Sequence, residues 1–277
     1  MHGIGNDYIY INCFQETVTD PEKLSIFMSN VRFGVGSDGL VLILPSEVAD
    51  FRMRIFNADG SEAMMCGNAT RCVGKYVYEH GMTDKTEVSL ETNSGIKYLT
   101  LYVNEATNKV DAVKVDMGKA ILKPAEIPVA DDGDRFIAKP VVVDGVSYDM
   151  TCVSMGNPHA VVFLPEIDSL DLEKMGPSFE HHPLFPNRVN TEFIRVIDDH
   201  TLQMRVWERG SGETFACGTG ACAAAVASVL NGYCKREQEI LIHLRGGDLR
   251  IIYHNDESVT MIGPATFIFE GKMEYPV

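Results

Sequence analysis

Short runs of alternating apolar and polar residues dominate this 277-residue chain, and a period of two is the pattern of a strand with one buried face. FRMRIF (51–56), IKYLTLYV (96–103), VKVDMG (113–118), EFIRVI (192–197) and LQMRVWE (202–208) all read this way. Tyr8–Phe14 predicts a first strand and GVGSDGLVLIL (34–44) a glycine loop feeding a buried one, while FIAKPVVV and VSYDMTCVSM pair around the Asp144-Gly145 turn. Further hairpin turns are expected at Asn93-Ser94-Gly95, Asp198-Asp199 and Gly246-Gly247. Helices are fewer. Asp20 before Pro21 supplies an N-cap and a first-turn proline for a helix to about Asn30. DLEKMGPSFEHH (171–182) predicts a second short helix. Two long ones open at Gly67 and Gly218 and end in the glycines at 81 and 232.

The two long helices lie in similar stretches, EAMMCGNATRCVGKYVYEHG (62–81) and ETFACGTGACAAAVASVLNG (213–232). The separation of Cys66 from Cys217, 151 residues, also pairs Gly67 with Gly218, Glu62 with Glu213, Met53-Arg54 with Met204-Arg205, Gly95 with Gly246, and Gly5-Asn6 with Gly156-Asn157. A register held over so long a stretch predicts a duplicated domain. ACAAAVASVL carries almost nothing polar on any face, so it must be wrapped on all sides. The expected fold is α+β: two pseudo-symmetric duplicated domains, each a curved, mainly antiparallel sheet around a central apolar helix. The expected halves are residues 1–117 and 118–263, joined by the proline-bearing stretch 118–135, with a C-terminal strand over 264–277 completing the first half.

Acidic residues outnumber basic ones, 39 to 24, for a formal charge of -15, which repels nucleic acid and anionic membrane. Neither an 18-residue apolar run nor a signal-peptide pattern occurs, which predicts a cytoplasmic protein. Seven cysteines without a CxxC pair fit neither a disulfide framework nor a zinc site, and His181, His182, His200 and His254 lack helical metal spacing. Thiols at rest and no metal are expected.

A Cys-Gly pair at a helix start has particular chemistry. The first N–H groups of the helix and the positive end of its dipole favour an anion, and the same field is expected to lower a thiol toward neutrality. A thiol that titrates there works as acid or base. One such site suits a nucleophile or a redox thiol. Two equivalent sites around one bound carboxylate could remove a proton from one face of its α-carbon and deliver one to the other, inverting the centre. The helix N–H groups would hold the added negative charge. No phosphate-binding glycine loop with a Schiff-base lysine is evident, so no cofactor is expected. The residues alone leave open a redox thiol pair and a non-catalytic amino-acid binding module. Locally, Cys13, Cys72, Cys152 and Cys222 read as core residues, His159 also fits a hydrogen-bonded loop histidine, and Asn6 and Asn57 also fit plain turn residues.

HGIGNDYIYIN, FNADGSEAMMCGNATRC, SMGNPHAVV, RVNTEFI and WERGSGETFACGTGACA follow in order the signature segments of the diaminopimelate epimerases, which the chain resembles over essentially its whole length. Proline racemases and hydroxyproline epimerases share the two-cysteine plan, but usually carry histidine where this chain has Asn68. The resemblance implies a cofactor-independent isomerase interconverting LL- and meso-2,6-diaminopimelate in lysine and peptidoglycan precursor synthesis, and a homodimer. It implies that Cys66 and Cys217 are the two acid–base thiols and that His159 and Glu208 tune or deprotonate them. The N–H groups of Gly67, Asn68, Gly218 and Thr219 would then hold the reacting carboxylate, and Asn6, Asn57, Asn157, Asn190, Glu208 and Arg209 would grip the rest of the substrate. Gly39 stands where some members have a substrate-contacting glutamine, Thr219 where others have serine, and Phe269 where some have a tyrosine at a dimer contact.

Overall fold

The computed structural model describes residues 1–275 and divides into two units, Met1–Val115 with the chain from Gly263 onward, and Asp116–Ile262. The first unit holds β1 (His2–Gly3), β2 (Asn6–Asp7), β3 (Ile9–Asn12), α1 (Pro21–Ser29), β4 (Gly39–Leu44), β5 (Phe51–Asn57), β6 (Glu62–Ala63), α2 (Gly67–Glu79), β7 (Glu87–Thr92), β8 (Gly95–Asn104) and β9 (Lys109–Lys119), whose last residues enter the second unit. The second holds β10 (Lys139–Val143), β11 (Val146–Ser154), β12 (Pro158–Phe163), α3 (Leu172–Glu180), β13 (Asn190–Val196), β14 (Thr201–Glu208), β15 (Gly212–Glu213), α4 (Gly218–Leu230), β16 (Glu239–Leu244), β17 (Gly247–Tyr253) and β18 (Ser258–Gly263).

Their strand pairings repeat. In the first unit β3 and β4 are parallel, β4 and β5 antiparallel with β6 beside β5, β5 and β7 parallel, and β7–β8–β9 antiparallel. The second unit repeats this with β12, β13, β14, β15, β16, β17 and β18, and adds the antiparallel β10 and β11. The chain is an α+β duplicate with mainly antiparallel sheets. Gly39 and Asn190 open β4 and β13, and Gly67 and Gly218 open α2 and α4. The 151-residue register thus survives in the backbone.

Alanine sets how closely helix and sheet approach in the second unit. Ten of the thirteen α4 residues are buried, five of them alanines, and the helix packs against β11, β12, β13, β16 and β17. Short side chains bring such strands near the helix axis, so added methylenes there would strain the packing. α2 is buried all round from Gly67 to Gly74 and again at Val77, and in its partly exposed last turns Lys75 Nζ donates to Glu79 Oε1 (2.6 Å) and to the Val110 carbonyl (2.6 Å).

Two expectations need correction. The first strand is shorter than Tyr8–Phe14, because the chain before it folds into the β1–β2 pair. Residues 264–275 form no regular strand: Thr266 makes an isolated antiparallel bridge to His2, and Pro264 has no N–H to extend a ladder. The Pro264 carbonyl instead accepts from Arg71 Nε (3.1 Å), and Phe267 packs near Tyr76 and His80. Pro276 and Val277, the end of the expected strand, lie outside the described residues.

Candidate active site

Cys66 is the extended N-cap of α2, and its thiol faces Asn6 Oδ1 at 3.4 Å. Asn6 Nδ2 donates to Asp38 Oδ2 (2.7 Å), which also accepts from the Asp7 N–H (3.1 Å), so Asp38 determines which end of the Asn6 amide meets the sulfur. Asn68 Nδ2 shares the same Asn6 oxygen (3.2 Å), while Asn68 Oδ1 accepts from the fully buried Arg71 (2.9 Å). Arg71 also donates to the Gly67 carbonyl (3.3 Å), fixing the first turn around the N–H groups of Gly67 and Asn68. Asn57, at the end of β5, uses Nδ2 on Ser61 Oγ (3.0 Å), inside the turn that its sequence suggested.

Cys217 is the corresponding N-cap of α4 and is buried. Its sulfur lies 3.6 Å from Thr219 Oγ1, so the threonine at this position brings its hydroxyl as well as its N–H to the site. The expected lowering of the thiol is reversed here: burial, then the carboxylates of Glu208 and Glu192, push Cys217 well above an ordinary thiol. Desolvation and two nearby negative charges outweigh the helix end. Burial also raises Glu208, against the opposing effect of hydrogen bonds from Thr214 and Cys217. A thiol beside a carboxyl of increased basicity is an acid–base pair.

His159 lies behind them, fully buried, between Glu192 Oε1 (2.7 Å to Nδ1) and Asn157 Oδ1 (3.0 Å to Nε2). Asn190 Nδ2 donates to the Pro158 carbonyl (2.9 Å) and its Oδ1 accepts the Arg209 N–H (2.9 Å), tying the histidine strand to the loop after β14. Arg209 donates to the Asn187 carbonyl (2.9 Å). The second unit thus gathers Asn157, His159, Asn190, Glu208, Arg209, Cys217, Gly218 and Thr219. The first holds Asn6, Cys66, Gly67 and Asn68 together, with Asn57 across a strand pair from Gly39.

Asp38, Arg71, Glu192 and Thr214 were not singled out from the sequence, although each touches a residue that was. The duplication offered one signal: at the common offset Val41 answers to Glu192 and Ala63 to Thr214, so polar side chains stand where the first half is apolar. Gly39 has a cause of its own, since a Cβ there would sit 2.0 Å from the Phe56 carbonyl oxygen. Gly39→Gln, which restores the side chain of other members, is expected to destabilise the fold by about 1–3 kcal/mol, measurable by urea unfolding. Gly220 is similarly constrained. Its Cβ would meet Glu192 Oε1 at 2.6 Å and Cys217 Sγ at 3.2 Å. On an exposed helix Gly→Ala gains up to about 1 kcal/mol. Here Gly220→Ala is expected to gain no stability and to lower kcat at least about tenfold, by displacing the buried thiol and carboxylate.

Comparison with known proteins identifies the family. A family model described as diaminopimelate epimerase matches residues 1–123 and 151–268. Diaminopimelate epimerase of Acetivibrio thermocellus is 58% identical over 275 residues, covering 99% of this chain and 97% of that protein. The enzyme of Agathobacter rectalis is 55% identical over 282 residues, at 99% and 98% coverage. Among solved structures, a phenazine biosynthesis protein of the PhzF family from Bacillus anthracis superposes with a TM-score of 0.65 at 18% identity, covering 95% of this chain and 92% of that one. A hydroxyproline epimerase from Agrobacterium vitis, solved with trans-4-hydroxy-L-proline bound, gives 0.65 at 19% identity, with 89% and 79% coverage. These two likenesses concern the fold.

Proposed function

The chain belongs to the diaminopimelate epimerase family, and from that premise we propose how its own residues carry the reaction. The enzyme is an isomerase that interconverts LL- and meso-2,6-diaminopimelate, on the route to lysine and peptidoglycan precursors. Inversion requires one group to take the α-proton and another to return a proton to the opposite face. Cys66 and Cys217 are those groups, exchanging roles with the configuration of the substrate. The observation that carries this reading is the repeated Cys-Gly helix opening in two units of one topology, with a basic carboxyl beside one of the thiols.

Removing an α-proton places negative charge on the adjacent carboxylate. The first-turn N–H groups of α2 and α4 (Gly67, Asn68, Gly218 and Thr219) are the donors for it; such donors are typically worth about 2.7–4 kcal/mol each. Cys217, raised by burial and by Glu208 and Glu192, is a thiol in the resting enzyme and acts there as the acid. It becomes the base by passing its proton to Glu208, whose own elevation makes it a better acceptor than an ordinary carboxylate. Asn6, Asn57, Asn157, Asn190 and Arg209 hold the remainder of the substrate: guanidinium for the distal carboxylate, amide oxygens for the distal ammonium.

The same reading makes the protein a cytoplasmic homodimer that binds neither nucleic acid nor membrane. The net charge of -15 supports the last two, and no helix among the described residues is long and apolar enough to cross a membrane. Ile268 and Phe269, exposed by 54% and 58% in the single chain, support an apolar dimer contact. Proton NMR of LL-diaminopimelate with the reduced enzyme in D2O tests the reaction. Loss of an α-proton signal with formation of meso product is expected, and product formed without deuterium uptake would exclude thiol-mediated proton exchange.

A further inference from the structure

Glu192 is a carboxylate with no exposed surface, one oxygen on His159 Nδ1 at 2.7 Å and the other, Oε2, buried without a hydrogen-bond partner among the described residues. Such an arrangement is poor for stability. A buried ion pair often costs more in desolvation than it returns, and an orphan acceptor adds to that cost. The surroundings have nonetheless been cleared for it, because Gly220 in the first turn of α4 lacks the Cβ that would collide with Oε1. Its charge also reaches both acid–base groups, raising Glu208 and Cys217.

From this geometry we infer that Glu192 is a positioning residue for the epimerase reaction: it keeps a proton on His159 Nδ1, so that proton gain and loss by this ring occur only at Nε2. The inference rests on the assignment of His159 to the site. An ionised carboxylate is purely an acceptor, so the ring nitrogen facing it must donate. The other nitrogen faces the Asn157 side chain. A primary amide can meet Nε2 in either state, accepting through oxygen from Nε2–H or, turned over, donating NH2 to the bare nitrogen. The ring can therefore change protonation without leaving its place, provided that Nδ1 is committed. The charged groups that bear on it are Glu192, at hydrogen-bond distance, and Glu208, both in the second unit.

The test is 15N NMR of the histidine side chains in the full-length enzyme, together with steady-state kinetics on diaminopimelate. In the unsubstituted protein His159 is expected to show a proton on Nδ1; a neutral ring protonated only at Nε2 overturns the proposal without any variant. Glu192→Leu keeps the bulk and removes the acceptor. It is expected to mix the two tautomers and lower kcat about 10–100-fold, as loss of a histidine's orienting partner does elsewhere, with KM changed less than about threefold. Glu192→Gln retains an acceptor oxygen and is expected to restore the Nδ1–H signature and most of kcat, which a loss through folding alone would not do. An unmoved tautomer in Glu192→Leu overturns the part given to Glu192. A moved tautomer with unchanged kcat also overturns the proposal, and shows that the failure lies in the assignment of His159 to the reaction.

Discussion

Cys66→Ala and Cys217→Ala are each expected to lower kcat for epimerisation by about 10²–10⁴-fold, the range assigned to a positioned acid or base, while leaving the fold intact. Neither thiol has a supporting role large enough to confuse the result. Cys66 lies 3.4 Å from Asn6 Oδ1, and Cys217 lies 3.6 Å from Thr219 Oγ1 and hydrogen-bonds to Glu208; alanine removes only one sulfur from each helix start. The informative readout is α-proton exchange followed separately for the LL and meso substrates in D2O. In a two-base reaction each variant retains one base, so the isomer that still exchanges differs between them. A single variant with normal turnover, or two variants with identical exchange patterns, contradicts the assignment.

Glu208→Gln is the second large effect, with activity and stability moving in opposite directions. The glutamine cannot receive the Cys217 proton, so kcat is expected to fall by about 10²–10⁴-fold. Stability follows from the direction of the carboxyl shift. Burial raises Glu208, so the folded chain holds this proton to a higher pH than the unfolded chain does. The stabilising contribution is complete below the unfolded carboxyl value and is lost as pH rises through the folded one, above which a charged group remains in a buried place. Glutamine never ionises. The melting temperature of the variant should match that of the parent near pH 4 and exceed it increasingly toward pH 8. A variant that melts lower at pH 8 than the parent would show that the Thr214 and Cys217 contacts outweigh the buried charge.

The architecture was legible because duplication writes the same pattern twice, and because a glycine or an alternating strand carries its meaning locally. The Cys-Gly openings, the Gly81 and Gly232 ends and the Asp20 cap needed no tertiary context. Glu192 did need it. In EFIRVI it reads as the polar side of a half-exposed strand, yet Asn190–Ile194 are all buried, with Phe193 in the cluster of Phe179 and Trp207. A strand covered on both faces hides which of its polar residues is solvated. The elevation of Cys217 was hidden for the same reason: the helix end is visible in the sequence, while the burial and the second carboxylate that override it come from β13 and β14. Likewise Gly39 looked like a missing side chain, whereas the Phe56 carbonyl leaves no room for one.

The division of the chain has a consequence for synthesis on the ribosome. The second unit is encoded by one uninterrupted stretch, Asp116–Ile262, whereas the first needs the chain from Gly263 onward, which emerges last. Until then Arg71 lacks the Pro264 carbonyl, His2 its bridge to Thr266, and Tyr76 and His80 the Phe267 ring. Domains fold as units while chains emerge at about 5–20 residues per second, and contacts distant in sequence form late. The unit made second is therefore finished first, and the N-terminal unit waits, with Cys66 at its helix start, until the stretch from Gly263 onward emerges and joins it.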